Sequence, residues 1–330
     1  MSYFICFDLE GPLSPQDNAY ELMKLIPGGE RVFEIISRYD DLLTLAGKEG
    51  YEPGDTLALI IPFLIYHGLS EVEIKTLAHK AGLVEGSREL ISALRSRGWQ
   101  VFCISTSYEQ YARHICQRIN IDRENLACTK FPLDRFRGIL RREQLAPVKQ
   151  IEEEISRLRP VEDDERIKEK LDRFFWEELP GTELGEVVGE VKPMGGQRKV
   201  EALKEFAARS DCPLDRVVVI GDSITDFKML REVNESGGLA IAFNANEYAL
   251  PYATVGLAST TIYDLDPVLR SWEEGGRKAV EEIVKAKEEA GGEGNRGYFH
   301  WLLGRKEFDE PLKLHKRIRR LVREEAGELG

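Results

Sequence analysis

Residues 4–14 read FICFDLEGPLS, an apolar run that breaks into a Gly-Pro turn with two acids, Asp8 and Glu10, at the break. Phe4, Ile5, Cys6 and Phe7 show no polar alternation, so they read as a strand covered on both faces, as in a parallel sheet. Asp8 and Glu10 then fall at its carboxyl end. In open α/β sheets that edge is where ligands bind, which gives the acids a functional reading. The plainer alternative is an Asp capping a turn. The stretch alone does not choose between them.

Two later stretches repeat the pattern. VFCIST (101–106) is an apolar run ending in Ser105 and Thr106, and RVVVIGDSITD (216–226) runs into Asp222 and Asp226. A further strand, GLAIAFNAN (238–246), ends in Asn244, which reads as structural. A parallel sheet brings such ends together. Carboxylates gathered at one edge repel each other unless a cation lies between them, and oxygen donors without His or Cys clusters favour Mg²⁺. A hydroxyl and a lysine close by would recognise a phosphoryl group. Ser105 directly follows its apolar run, although it could instead cap the next helix and leave the contact to Thr106 or Ser107. Lys199 opens the helical stretch KVEALKEFAARS, with Lys192 as its rival.

The chain of 330 residues is long enough for one large α/β domain with additions, or for two domains. A 32% charged and 42% hydrophobic composition fits a soluble globular protein. The net charge of −12 opposes non-specific attraction to nucleic acid or to an anionic membrane. KLHKRIRRLVR (313–323) is locally basic, but a charge run of this kind reads as a solvated helix face rather than a nucleic-acid patch. No export-signal pattern opens the sequence, and the longest apolar run, TLALIIPFLIY (56–66), is too short for a bilayer and contains Pro62. Five scattered cysteines without a C-x-x-C pair suggest reduced thiols and a cytoplasmic setting.

Between the first two strands, residues 14–84 carry about four helical patterns, including DTLALIIPFLIYHG; the α/β alternation resumes near residue 85. Residues 131–183 are far more charged, with two surface helices expected within 145–178 on either side of Pro160. GEVVGEV (185–191) reads as short extended segments. From about residue 264 the pattern is helical and charged, interrupted by GGEGNRG (291–297).

Taken together, Asp8-x-Glu10-Gly11, Ser105, Lys199 and Gly221-Asp222-x-x-x-Asp226 resemble the four ordered motifs of the haloacid dehalogenase (HAD) superfamily. The layout is most similar to the phosphoserine phosphatase branch, in a long form like that of some archaeal members. The resemblance implies an α/β fold with a Rossmann-like parallel-sheet core over 1–13 and 85–262, the latter carrying the charged helical insertion 131–183. It also implies a helical cap over 14–84, leaving 263–330 as a charged helical C-terminal extension. It further implies a phosphatase acting on a small phosphorylated metabolite. Asp8 would be the nucleophile that forms an aspartyl-phosphate, Glu10 the acid and base, Ser105 a phosphoryl contact beside Thr106, and Lys199 the neutralising cation. Mg²⁺ would be held by Asp8, the Glu10 carbonyl, Asp222 and Asp226.

The sequence departs from the family pattern in three ways. Position 10 is normally aspartate; glutamate keeps the carboxyl on a longer arm, a form shared with relatives that pass phosphate to an alcohol. Asp17 could hold a substrate amine, yet the cap helix expected to supply an arginine for a carboxylate has none, with Arg31 and Arg38 as distant substitutes. The segments 131–183 and 263–330 are additional mass. Phosphotransfer to an alcohol is therefore one alternative. Another is a non-catalytic scaffold, with those two segments as contact surfaces for a second copy or a protein partner.

Overall fold

The computed structural model describes residues 3–291 and 297–323. Strand β1 (Tyr3–Phe7) sends Ile5 and Phe7 into one apolar core and Phe4 and Cys6 into another, on opposite faces of the sheet. That two-sided burial is why the run carries no polar alternation. The chain next forms α1 (Asn18–Met23), α2 (Gly29–Leu45), α3 (Thr56–Leu59), α4 (Ile61–Tyr66) and α5 (Glu71–Lys80). The single helix expected over DTLALIIPFLIYHG is two short ones, because Pro62 sits in the first turn of α4 and supplies no amide to continue α3.

Helix α6 (Ser87–Ser96) leads to β2 (Trp99–Tyr108), α7 (Glu109–Arg118) and β3 (Leu126–Thr129). Four helices follow: α8 (Leu133–Ile139), α9 (Ala146–Ile155), α10 (Asp164–Asp172) and α11 (Glu183–Glu190). Helix α11 corrects the extended reading of 185–191. Thr182 caps it by accepting from the Gly185 amide, and the spacing of Leu184 and Val187 buries one helical face. These helices pack on the earlier group, α10 on α2, α9 on α4 and α11 on α3. Arg38 forks onto Asp164, Tyr39 donates to Asp172, and His67 meets Glu152. Two stretches far apart in sequence thus build one helical layer.

The remaining core is α12 (Gln197–Arg209), β4 (Val217–Gly221), α13 (Phe227–Glu235), β5 (Leu239–Phe243) and β6 (Val255–Ser259). Helix α14 (Asp266–Ala290), broken at Gly275–Gly276, precedes β7 (Gly297–Trp301) and α15 (Asp309–Arg323). Strand β7 corrects the all-helical reading of the C-terminal segment: GYFHW pairs antiparallel with β6. Of the Gly-rich break at 291–297, residues 292–296 lie outside the described residues. The sheet order is β3-β2-β1-β4-β5-β6-β7, parallel apart from β7. The carboxyl ends of β2, β1 and β4 are therefore neighbours, and the order reverses around β1. Among the described residues, no single helix is long and apolar enough to cross a membrane.

Candidate active site

The loop after β1 is pinned at once, since the Asp8 amide donates to the Ile220 carbonyl of β4 at 2.8 Å. The chain then turns at Gly11, whose φ is +99°. A Cβ there would lie 2.3 Å from Asp222 Oδ2, so both the turn and the close approach require glycine. One carboxylate oxygen from each of Asp8, Asp222 and Asp226 lies within 4.8 Å of the others, and all three residues are buried.

Lys199 projects from the first turn of α12 and is fully buried. Its Nζ donates to Asp8 Oδ1 and Asp226 Oδ1, both at 2.7 Å. Burial opposes its charge, but the two carboxylates outweigh that and raise its pKa above the ordinary lysine value. Its sequence rival Lys192 is exposed. Asp226 spends its other oxygen on the backbone amides of Asp222 and Ser223, at 3.0 and 3.1 Å. Burial, then the nearby Asp226 charge, push the Asp8 carboxyl up, and Lys199 opposes them.

Asp222 Oδ1 is a buried acceptor with no hydrogen-bond partner among the described residues. An orphaned carboxylate oxygen beside two further carboxylates is costly by itself and is the donor set a hard divalent cation takes. The residues therefore fit Mg²⁺.

Glu10 Oε1 accepts from the Asn18 amide at 2.8 Å and from Ser107 Oγ at 2.6 Å. Burial raises its pKa to about 7, with the Asp17 charge adding to the shift. Ser107 is thus the hydroxyl that orients the acid. Ser105 is buried, with its Oγ accepting from the Ser107 amide at 3.1 Å; Thr106, not Ser105, lines the cavity. Thr106 Oγ1 donates to the Met194 carbonyl at 3.0 Å. Asp17 lines the cavity too, while its Oδ1 caps α1 by accepting from the Tyr20 amide at 2.9 Å.

The cavity, of about 100 Å³, lies between the carboxyl edge and the helical layer. From the layer it is lined by Phe33, Asp40, Asp41 and Leu57, among others. The layer is fastened there: Lys228 pairs with Glu52 at 2.7 Å, Arg198 pairs with Asp55 at 2.5 Å, and a Cβ on Gly195 would lie 1.8 Å from the Pro53 carbonyl oxygen. Burial lifts Asp40 to about 7 and Asp41 to about 6. Arg31 and Arg38 do not line the cavity; they tie α2 to the Leu158 carbonyl and to Asp164.

The sequence reading missed two residues here. Arg319 and Arg323 of α15 line the cavity, are buried, and both donate to Asp222 Oδ2, Arg323 at 3.0 Å. This corrects the reading of 313–323 as a solvated face. The available signal was their place in the four-residue series Pro311, His315, Arg319 and Arg323, which lies on one helix face.

The chain belongs to the haloacid dehalogenase superfamily, in its phosphoserine phosphatase-like branch. A sequence model of haloacid dehalogenase-like hydrolases matches residues 141–262, which include Lys199, Asp222 and Asp226 but not Asp8. The solved structure of a gene product from Archaeoglobus fulgidus is 30% identical, with a TM-score of 0.86 over 100% of this chain and 99% of that one. The phosphoserine phosphatase of the same organism is 22% identical over 270 residues, 81% of this chain and 59% of its own length. The phosphoserine phosphatase of Bos taurus is 27% identical over 124 residues, 37% of this chain and 51% of its own. The chain thus spans just over half of the length of these curated relatives, 51% and 59%.

Proposed function

We propose that this protein is a Mg²⁺-dependent phosphatase that hydrolyses a small phosphomonoester through an aspartyl-phosphate on Asp8. The observation that carries the reading is the buried trio Asp8, Asp222 and Asp226, with Lys199 bridging two of its members and Asp222 Oδ1 unpaired among the described residues. Asp8, Asp222, Asp226 and the Glu10 carbonyl would hold the cation, which when bound supplies positive charge against the repulsion between an anionic nucleophile and an anionic phosphate.

The rest of the chemistry belongs to the chain. Lys199 holds Asp8 Oδ1, so the second oxygen is the one that attacks phosphorus as the ester P–O bond breaks. Glu10 gives its proton to the departing oxygen, and a pKa near 7 lets it hold that proton at neutral pH. It then takes a proton from water, which attacks the same phosphorus and releases inorganic phosphate and free Asp8. Thr106 is the wall hydroxyl, and Ser105 holds the amide of Ser107, whose hydroxyl donates to Glu10.

The cavity suits a small metabolite under a helical lid and leaves no path for a folded phosphoprotein. Asp17, Asp40 and Asp41 at its wall favour a substrate with an amine. The same site serves transfer to an alcohol if the second acceptor is not water. We place the activity in the cytoplasm, in keeping with the free cysteines. The test is a phosphoester panel assayed with and without Mg²⁺ and with added alcohols. Mg²⁺-dependent release of phosphate from small esters is expected; no turnover of any ester would reject the reading in favour of a scaffold.

A further inference from the structure

Helix α15 brings two guanidinium groups to a cavity whose other charged walls, Asp8, Glu10, Asp17, Asp40 and Asp41, are carboxylates. Arg319 and Arg323, four residues apart on one helix face, both donate to a single oxygen of Asp222. Asp222 needs no such clamp. Its side chain packs against Gly11, its amide is held by Asp226, and its carbonyl accepts from Asn246. Among the described residues lining the cavity, these two guanidinium groups are the cations, and so the groups that an anion entering it meets. Arg323 also has hydrogen-bonding capacity to spare: Nε goes to the Pro15 carbonyl at 3.2 Å and Nη1 to Asp222, while among the described residues nothing accepts from Nη2. A planar guanidinium fork is matched by two oxygens of a phosphoryl or carboxylate group.

We propose that Arg319 and Arg323 bind an oxyanion of the molecule that occupies this cavity, so that the C-terminal helix completes the active site. That the occupant is a phosphoester rests on the function proposed above. The oxyanion has two sources: the phosphoryl group itself, or a carboxylate carried elsewhere on the same substrate.

The test uses the full chain with saturating Mg²⁺ and two ligands that cannot be hydrolysed, methylphosphonate and phosphonoacetate, which differ by one carboxylate. Calorimetry gives each affinity for the wild type, Arg319→Gln and Arg323→Gln, with thermal melting to confirm folding. Both ligands weakening at least about tenfold in the variants assigns the arginines to the phosphoryl group. Loss for phosphonoacetate alone assigns them to a carboxylate, and the proposal stands in either case. Unchanged affinity for both ligands overturns it, as does a change in the Mg²⁺ midpoint alone, which would leave the arginines serving only Asp222. Absence of binding to the wild type overturns it too. Should Arg319→Gln fail to fold, Arg323→Gln at the helix end carries the test. Arginine-dependent binding without turnover of any ester would sustain this inference while rejecting the phosphatase.

Discussion

The two segments added to the sheet core are alike in composition and opposite in what they do with their charge. In α9 and α10 the ion pairs lie outside: Lys170 with Glu154 and Arg166 with Asp163 are partly or largely exposed, while Ile167 and Leu171 go down onto the layer below. In α15 two charges go inward while the others stay outside: the side chains of Arg319 and Arg323 are only 3% and 5% exposed. The difference lies in what each helix covers. The insertion covers other helices mainly through apolar faces, and its pairs to them, such as Arg38 with Asp164, stay partly exposed. Helix α15 crosses the sheet's carboxyl edge, where the buried His315 accepts from the Ala245 amide and its ring lies close enough to Gly256 that a Cβ there would come within 2.9 Å. A charged helix is a surface helix only if nothing charged lies beneath it.

Charge buried at the edge should therefore be costly to alter, and charge in the insertion cheap. The largest effect is expected from Asp8→Asn, which keeps the shape but removes the nucleophile: turnover should fall at least about a thousandfold with little change in melting temperature. Residual Mg²⁺-dependent turnover near the wild-type rate would remove Asp8 from its role. Lys199→Met should cost about 3 to 5 kcal/mol in denaturant unfolding, because it leaves two buried carboxylates facing each other. A loss under about 1 kcal/mol would show that the edge is wetter than its burial indicates.

Glu10 gives a pH test. With a folded pKa of about 7 against an ordinary 4.5, the folded protein binds more protons than the unfolded chain between those values. Its contribution to stability is present in full below about 4.5 and is lost as pH rises through 7. Activity has the same sign for the acid step, so kcat/KM should decline above about pH 7, and Glu10→Gln should lower turnover and abolish that limb. A profile in Glu10→Gln that keeps the limb would assign it to another group. The smallest effect is expected from Arg38→Ala, which breaks a half-exposed pair between α2 and α10: about 1 kcal/mol or less in stability, with turnover little changed. A loss as large as that of Lys199→Met would erase the contrast between the two regions.

The strands β1, β2 and β4 and the acids at their ends were legible in the sequence because burial on both faces leaves continuous apolar runs, and a run that stops at a carboxylate marks the edge. The place of Lys199 beside the acids was legible from its position at a helix start, and the all-oxygen donor set from the acids themselves. Helix α11 was misread because GEVVGEV is short and rich in valine and glycine, so its helical period shows only once Leu184 and Val187 are packed. Ser105 and Thr106 sit side by side on one strand, and alternation sends one into the core and the other to the cavity; only the register of β2 against its neighbours decides which. Arg319 and Arg323 were the least legible, since four-residue spacing fixes that they share a helix face but not what that face meets. The sequence by itself determined the central strands and the carboxylate edge, because these depend on local apolar runs that stop at an acid. Only the tertiary structure decided that the insertion joins the lid and that the last helix turns its arginines into the site, because burial of a charge depends on a partner more than 90 residues away in the chain.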